Sequence, residues 1–487
     1  MILAIDQGTS ATKACIFEPP AVLRGSATVP VRRQFGHDGT VSQDPQELVE
    51  SCRQSCHLAL VQAAISAKDL TGVALANQGE SFLLFDANGV PLSPVISWQD
   101  TRCGDVLLRL AGAPGAEAIT ALTGLPLHPE FVAPKLSYRL GHLHSTAGVR
   151  MGTLDTWLMH ELDPRHPFVT DRATASRTML MGLVDADWSE DLLRWFHVPR
   201  EILPSVVGCD QPGSVFDIED TEVPVLSSGY DMGLALLGHG CTRLGDVKAT
   251  FGTSLGVMAC TGARPQVVDG LLGTVAYQWH GKSTFALDGE IAAAGSLLEW
   301  GTQIGIAHSV AELVALAESA ADTGGVVVVP AINGLGAPYW RSDVEGVILG
   351  CTAATGRAEL ARAIVDAIAW SLRDVVVLLR ESGFACDTLR VDGGASRSSL
   401  LLQRCATIAG LEVLVSTVRE ATAYGGAALA MLSHGLANEG DVLTAARDSM
   451  RSFTPGLAPT EDEVQRWGSA IRVALTRSVS RQQLFPL

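Results

Sequence analysis

The chain has 487 residues, of which 52 are acidic and 35 are basic, so its formal net charge is −17 at pH 7. This charge is opposite to the basic surface that nucleic-acid binding requires, and it argues against a nucleic acid as partner. Hydrophobic residues make up 47% of the chain and charged residues 18%, which excludes a disordered protein. At about 150 residues per domain, the length predicts three domains or two large ones.

Membrane and secretory segments are not predicted. No apolar run approaches the roughly 18 residues that span a bilayer, and residues 1–5 lack the positive flank of a secretory signal. We therefore expect a cytoplasmic protein without a membrane partner. Its ten cysteines are scattered singly, which indicates reduced thiols. Cys52 and Cys56 are the close pair, and in a helix predicted over 45–66 they are expected to face the core rather than a metal.

A strand, a glycine-containing turn and a second strand occur twice. The first set is residues 2–5, 6–13 and 14–17, and it predicts a hairpin. The second set, at 247–250, 251–254 and 255–260, repeats the Gly-Thr-Ser turn and indicates two related halves. The chain has 49 glycines, and they separate β-rich from helical runs, which favours an α/β fold.

Two further patterns lie in the second half of the chain. Apolar residues recur three or four apart from 357 to 382, which predicts one long amphipathic helix with a packing role. Residues 389–392, 393–396 and 398–409 read as strand, glycine turn and helix. A proline-containing stretch before residue 225 places a domain boundary near 225–245.

The turn after the first strand has the composition of a phosphate-binding loop. Glycine lets the backbone approach a ligand, and backbone N–H groups and hydroxyls can surround phosphate oxygens. Thr9, Ser10, Thr12 and Lys13 fit that task, and Asp6 could hold Mg²⁺, which prefers carboxylate oxygen. The chain lacks a P-loop motif and a convincing dinucleotide fingerprint, so those two classes lose support.

The ordered motifs resemble those of the FGGY carbohydrate kinases, most nearly their glycerol-kinase branch. The matching segments are 6–10, 77–80, 98–102, 152–158, 170–171, 175–179, 229–231, 251–254, 336–340 and 392–396. The resemblance implies two actin-like (ribonuclease H-like) α/β domains that flank a catalytic cleft. Residues 1–241 would form the polyol or sugar domain and residues 242–487 the nucleotide domain. The domains are expected to close, expel water and transfer the γ-phosphoryl group of ATP to a hydroxyl, with Mg²⁺ as cofactor.

The same resemblance assigns the catalytic and nucleotide-binding residues. Asp231 matches the family's catalytic base, which takes the proton of the attacking hydroxyl. Asp6 is the expected Mg²⁺ carboxylate. The positions expected to contact the nucleotide are Thr9, Ser10, Lys13, Thr253, Gly295, Glu299, Gly394 and Ser398. Related kinases are often dimers or tetramers, and the sequence leaves the oligomeric state open.

The acceptor pocket departs from the glycerol branch at three positions. Gly79 stands where that branch has arginine, Glu130 where it has tyrosine, and Met232 where it has an amide. Glu80 and Trp98 remain as a hydroxyl acceptor and an apolar wall. Because glycine opens volume and Glu130 adds an acceptor, a tetritol or pentitol is the favoured substrate, with glycerol and a pentulose as alternatives. The Gln-Met-His segment of the xylulokinase branch is absent.

Three alternatives remain open at this point. A neighbouring loop could supply a replacement cation, although Arg102 and Lys135 are expected to form structural ion pairs or to face solvent. An actin-like ATPase switch would share the phosphate turns, but it leaves the segments 77–80 and 98–100 unexplained. A catalytically impaired sugar sensor would not need both Asp6 and Asp231.

Overall fold

The computed structural model describes residues 1–112, 115–185 and 187–476. It has an α/β fold with two large mixed β-sheets. The strands of the first half are β1 Ile2–Gln7, β2 Ala11–Glu18, β3 Val22–Pro30, β4 Gln34–Phe35, β5 Val41–Gln43, β6 Gly72–Asn77, β7 Phe82–Asp86, β8 Val95–Ile96, β9 Val149–Thr153, β10 Val169–Asp171, β11 Ser205–Val207, β12 Val215–Ile218 and β13 Thr221–Tyr230. Its helices are α1 Pro45–Ala63, α2 Gly104–Gly112, α3 Ala116–Thr123, α4 Val132–Leu140, α5 Leu154–Leu162, α6 Arg172–Ser176, α7 Glu190–Phe196 and α8 Asp231–Gly238.

The first large sheet has the strand order β12-β13-β6-β1-β2-β3. β1 pairs antiparallel with β2, as the predicted hairpin requires, and parallel with β6 on its other side. β13 continues the parallel run beside β6. All six residues of β6 are buried, as is typical of a central strand covered on both faces. The same half of the chain forms a smaller sheet in the order β4-β5-β8-β7-β9, and the Trp98 segment follows its strand β8.

Helix α1 confirms the helix predicted from Pro45. Asp44 caps it by accepting hydrogen bonds from two backbone N–H groups of the first turn. Cys52 and Cys56 are buried in the apolar core that this helix forms with the sheet. Their burial at 0% and 5% exposure agrees with the predicted core-facing positions of the two thiols.

The second half forms another large sheet in the order β16-β17-β15-β14-β20-β21-β22. The strands of the second half are β14 Val247–Phe251, β15 Leu255–Gly262, β16 Leu272–Trp279, β17 Lys282–Ile291, β18 Val327–Val329, β19 Val347–Leu349, β20 Thr388–Asp392, β21 Glu412–Ser416 and β22 Ser449–Phe453. Its helices are α9 Gly295–Gln303, α10 Val310–Ser319, α11 Arg357–Glu381, α12 Ser399–Ala409, α13 Ala421–Ser433, α14 Glu439–Arg447 and α15 Glu461–Thr476.

The repeat predicted from sequence is confirmed at the level of strand pairing. β14 pairs antiparallel with β15 and parallel with β20, as β1 does with β2 and β6. Helix α11 spans 25 residues and buries one face in the core of this half. α12 follows the glycine turn at Gly393 as the pattern indicated.

Helices α8 and α13 cross where the two halves meet. α13 packs against β1 and β6 of the first sheet, while α8 packs against β15 and β16 of the second. A Cβ atom on Gly425 would lie 1.8 Å from the Leu234 carbonyl oxygen, and one on Gly238 would lie 1.9 Å from that of Ala421. Only glycine permits backbones to approach this closely. The predicted boundary at 241/242 falls between α8 and β14 and stays a prediction.

The described part of the chain contains no helix that is long and apolar enough to cross a membrane.

Candidate active site

Two aspartates lie at the carboxyl ends of nearby parallel strands in the first sheet. Asp6 is near the end of β1, and Asp231 begins α8 directly after β13, with β6 between the two strands. Ligands of open α/β sheets bind outside the carboxyl ends of the strands. The fold therefore brings the predicted metal carboxylate and the predicted base to one edge, although 225 positions separate them in sequence.

The environment of Asp231 suits a proton acceptor. Burial raises the pKa of its carboxyl to about 7, and the nearby charges of Asp6 and Glu80 act in the same direction. The N–H of Met232 donates to Asp231 Oδ1 over 2.7 Å and opposes the rise. A carboxylate whose pKa lies near neutral pH can take a proton from a hydroxyl more readily than an ordinary aspartate can.

Asp6 has the chemistry of a magnesium ligand. Burial raises the pKa of its carboxyl to about 6, the charge of Glu420 adds to the rise, and Lys13 opposes it. Mg²⁺ is usually held by one or two carboxylates together with water and phosphate oxygens, so a single buried carboxylate at a phosphate turn fits this ion. Lys13 lies opposite Asp6 in the hairpin and forms an ion pair with Glu420, which precedes α13.

The turn residues divide between the cleft and the core. Thr9 lines the cleft, and its hydroxyl accepts a hydrogen bond from Trp98 Nε1 at 3.1 Å. Ser10 is exposed. Thr12 does not face the cleft, and its expected phosphate contact is wrong. The Thr12 side chain is fully buried with its hydroxyl 2.6 Å from that of Ser51 in α1, because neighbouring residues on a strand point to opposite faces.

A cavity of about 210 Å³ lies beside Asp231 and between the two halves of the chain. Its lining includes all six residues predicted to contact the acceptor: Gly79, Glu80, Trp98, Glu130, Asp231 and Met232. The volume is below the several hundred Å³ typical of drug-sized ligands, so the cavity fits a small molecule. A larger cavity of about 920 Å³ lies near Trp300 and β19, and its lining contains none of the predicted site residues.

Arg177 supplies a guanidinium that the sequence analysis did not assign to the pocket. It follows α6, and its Nε donates to the Glu80 carboxylate. Its Nη2 lies 3.6 Å from Asp288 Oδ2, while Nη1 has no hydrogen-bond partner among the described residues. Only 3% of the Arg177 side chain is exposed, and the residue lines the cavity. Arg177 belongs to segment 175–179, which matches the FGGY motifs, but spacing along the chain did not show where this arginine points.

The backbone at Glu80 is held in an unusual conformation. Its φ angle is +56°, in the left-handed region that residues other than glycine seldom adopt. Lys135 Nζ donates to the Glu80 carbonyl at 3.2 Å, and Arg177 holds the carboxylate. Such conformations persist where the surroundings fix them, and they cluster at ligand sites.

The two cations considered from sequence have different roles. Arg102 pairs with Asp100, with Nη2 2.8 Å from Oδ2, as expected. Lys135 neither faces solvent nor forms a side-chain ion pair, so that expectation is wrong. Its fully buried ammonium donates to the carbonyls of Glu80, Ser97 and Glu130, because α4 packs beneath the pocket and directs it there.

The C-terminal half contributes two acidic side chains that were also missed. Asp288 and Glu290 are two apart on β17, so they point to the same face of the strand, and both line the cavity. Gly256 lies opposite Glu290 on β15, and the Met232 side chain fills the space beside it, since a Cβ on Gly256 would lie 2.5 Å from Met232 Cε. Two carboxylates at alternating positions in the otherwise apolar second part of β17, residues 285–291, are a sequence signal that could have identified this wall.

Two of the predicted nucleotide residues of the second half, Thr253 and Gly295, lie side by side. Thr253 follows β14, and Gly295 begins α9 so close to that turn that a Cβ would lie 2.6 Å from the Gly252 carbonyl oxygen. Gly394 has open space beside its Cα. Glu299 is exposed on α9, and the Ser398 hydroxyl accepts from Leu401 N at 3.2 Å as the cap of α12. All five nucleotide contacts stay predictions, and Ser398 has a structural role as well.

Comparison with known proteins agrees with this geometry. The family model for the N-terminal domain of FGGY carbohydrate kinases matches residues 1–238, and that for the C-terminal domain matches residues 247–434. The chain belongs to the FGGY family of carbohydrate kinases. It is therefore an ATP-dependent phosphotransferase with an alcohol acceptor.

Full-length relatives support the assignment. The chain is 36% identical to a glycerol kinase of Citrifermentans bemidjiense, with 97% of this chain and 98% of that protein covered. It is 34% identical to glycerol kinase 2 of Streptomyces avermitilis, with 96% of each covered. Among solved structures, Plasmodium falciparum glycerol kinase with ADP matches with a TM-score of 0.90 at 25% identity, covering 99% of this chain and 98% of that one.

Proposed function

We propose that this kinase phosphorylates a hydroxyl of a small polyol longer than glycerol, a tetritol or a pentitol. The observation that carries the proposal is the space beside Gly79 in the acceptor cavity. A Cβ on Gly79 would meet Tyr230 and Arg177 only at ordinary contact distances of 3.7 and 3.8 Å, so a side chain could stand where the cavity is open. On the opposite wall the Met232 side chain packs against Gly256, so the added space lies on the Gly79 side.

The chemistry follows from the positions of the charged groups. Asp231 takes the proton of the attacking hydroxyl, while Arg177 and Glu80 orient the other hydroxyls through charge-assisted hydrogen bonds. Asp6 holds Mg²⁺, which neutralises charge on the transferring phosphoryl group. Lys13 and Thr253 approach the terminal phosphates, and Gly295 and Gly394 leave room for the rest of the nucleotide. Closure of the two halves excludes water, so ATP is not hydrolysed in place of transfer.

Glycerol is the second candidate acceptor. The specific observation in its favour is that relatives with 34–36% identity over nearly the whole chain are named glycerol kinases. Against it stand Gly79, Glu130 and Met232, which change three walls of the pocket.

The test is acceptor-dependent ADP production with Mg²⁺ and ATP. The panel contains glycerol, erythritol, threitol, the pentitols and the common ketoses and aldoses. Asp231→Asn removes the proposed base and should lower turnover about 10²- to 10⁴-fold while ATP binding persists. Asp105→Asn is the matched control, because Asp105 also lies in the first turn of a helix but is exposed. A tetritol or pentitol with the highest kcat/KM supports the proposal, and a clear preference for glycerol overturns it.

A further inference from the structure

The acceptor cavity contains more negative than positive side chains. Five carboxyl groups line it: Glu80, Glu130, Asp231, Asp288 and Glu290. Arg177 is the only lysine or arginine in that lining, and two buried lysines, Lys135 and Lys248, stand behind it. Even when all three cations are counted, the carboxylates exceed them by two.

The cations are committed to other carboxylates or to neutral groups. Arg177 bridges Glu80 and Asp288. Lys135 donates to backbone carbonyls, and Lys248 Nζ contacts Met232 Sδ at 3.0 Å and Thr250 Oγ1 at 3.3 Å. Asp231, Glu130 and Glu290 are therefore left without an ion pair to these cations, and Asp231 is already assigned as the proposed base.

Neither Glu130 nor Glu290 forms an ion pair with a lysine or arginine in the described part of the chain, although the charge of Arg177 acts on both. His128 Nδ1 is 3.7 Å from Glu130 Oε2, but burial and Lys135 lower the pKa of His128 to about 4, so the ring is neutral at neutral pH. Glu290 receives a hydrogen bond from Ser254. Burial and then the neighbouring carboxylates raise the pKa of both glutamates, so their charged forms are disfavoured unless a cation lies nearby.

The two glutamates belong to opposite walls of the cleft. Glu130 precedes α4 in the first half, and Glu290 lies on β17 in the second. Both glutamates line one cavity of low dielectric constant, where repulsion between two charged carboxylates is large. A cation held between them would remove the repulsion.

A second feature of the cavity points to a ligand independently. Arg177 Nη1 and Asp288 Oδ1 have no hydrogen-bond partner in the described residues, although the two side chains are only 3% and 7% exposed and both line the cavity. Buried polar atoms are normally paired. A hydroxyl can satisfy both, because it accepts from the guanidinium and donates to the carboxylate.

We propose that the acceptor is an amino polyol, whose ammonium lies between Glu130 and Glu290 while its hydroxyls face Arg177, Asp288 and Asp231. This rests on the kinase function proposed above. The phosphoryl group passes from ATP to a hydroxyl oxygen, the hydroxyl proton passes to Asp231, and ADP leaves. The ammonium keeps its proton and is not the nucleophile.

The test compares polyols that differ only in one group. The pairs are ribitol and 1-amino-1-deoxyribitol, sorbitol and 1-amino-1-deoxysorbitol, and glycerol and 3-amino-1,2-propanediol, each assayed by ADP production with wild-type enzyme at pH 7.5. We expect the amine of the best pair to have a kcat/KM at least about tenfold above that of its neutral partner. N-acetylation of that amine should abolish the advantage, since it removes the charge without removing the nitrogen.

Variants locate the ammonium. Glu130→Gln and Glu290→Gln should each reduce the ratio of amine to neutral kcat/KM by about tenfold, whereas Glu222→Gln, at an exposed position of β13, should leave the ratio unchanged. Equal or better use of the neutral partners by the wild-type enzyme would overturn the amine proposal alone, and would indicate that the glutamates share a proton. Phosphorylation of neither member of any pair, with ATP still bound, would overturn the polyol kinase proposal as well.

Discussion

Arg177 donates from Nε to the carboxylate of Glu80, although 97 positions separate the two residues. The pair places a guanidinium beside Gly79, at the point where the sequence alone showed a missing cation. Asp288 approaches the same arginine from the other half of the chain. One buried side chain therefore links both walls of the acceptor cavity.

Arg177→Lys should weaken acceptor use selectively. Lysine keeps the positive charge but loses the planar fork that reaches Glu80 and Asp288 together. We expect the KM for the acceptor to rise at least about tenfold, the cost of one lost charge-assisted hydrogen bond. ATP affinity, measured by calorimetry, should stay the same. Arg165→Lys is the control, because Arg165 also pairs with an aspartate but is 59% exposed at a distance from the cavity. Equal KM values in the two variants would contradict the role of Arg177.

The rate should depend on the ionisation of Asp231. Its pKa is raised to about 7, so the carboxyl is protonated and inactive as a base below that pH and is ionised above it. We expect kcat/KM for the acceptor to fall about tenfold per pH unit below about 7 and to level off above it. A pH–rate profile from 5.5 to 9 measures this limb. Asp231→Asn should lack it, and a wild-type rate that stays flat down to pH 5.5 would show that another group accepts the proton.

Gly79→Arg should fill the acceptor cavity. The first atom of the new side chain meets Tyr230 and Arg177 at 3.7 and 3.8 Å, so the backbone tolerates it, but a second guanidinium beside Arg177 adds a like charge. We expect kcat/KM for the preferred acceptor to fall by about tenfold or more and the relative use of glycerol to rise.

The comparison for this position is Gly79→Ala, which adds volume without charge and should cost less. The measurement is the ratio of kcat/KM values for the preferred acceptor and glycerol in all three proteins. An identical ratio would mean that residue 79 does not shape the pocket.

Gly425→Ala should destabilise the crossing of α8 and α13. Its Cβ would lie 1.8 Å from the Leu234 carbonyl oxygen, and backbone atoms must move to admit it. We expect the free energy of unfolding to fall by at least about 2 kcal/mol, as forced overpacking does. Gly104→Ala is the control, because its Cβ would have no neighbour within 4 Å. Urea denaturation measures the stability of both variants. Equal midpoints would show that α8 and α13 can move apart without loss of stability.

Local structure was predictable wherever neighbouring residues determine it. The β1–β2 hairpin, helix α1 and helix α11 follow from alternation, capping and apolar spacing, and the structure confirms all three. The position of Thr12 was predicted wrongly in spite of this. The composition of its turn was considered without the alternation of side chains along the strand, which directs Thr12 toward Ser51. The burial of Cys52 and Cys56 was predicted correctly, because there the spacing of residues on a helix was taken into account.

The acceptor pocket was predictable only on one side. Motifs identified Gly79, Glu80, Trp98, Glu130, Asp231 and Met232, and the structure gathers all six around one cavity. The wall formed by Asp288 and Glu290 was missed, because its position depends on how β17 pairs with β15. The direction of Lys135 depends likewise on how α4 packs beneath Glu80.

Short segments with their own local geometry were enough to identify the family, the two related halves and the candidate carboxylates for proton transfer and metal binding. Which charges meet depends on the tertiary structure. Arg177 reaches Glu80, and Glu130 faces a wall that carries Glu290, because strand order and the crossing of α8 and α13 bring distant segments together. Long-range Coulomb interactions in a buried cavity depend on those distances, which spacing along a chain does not contain.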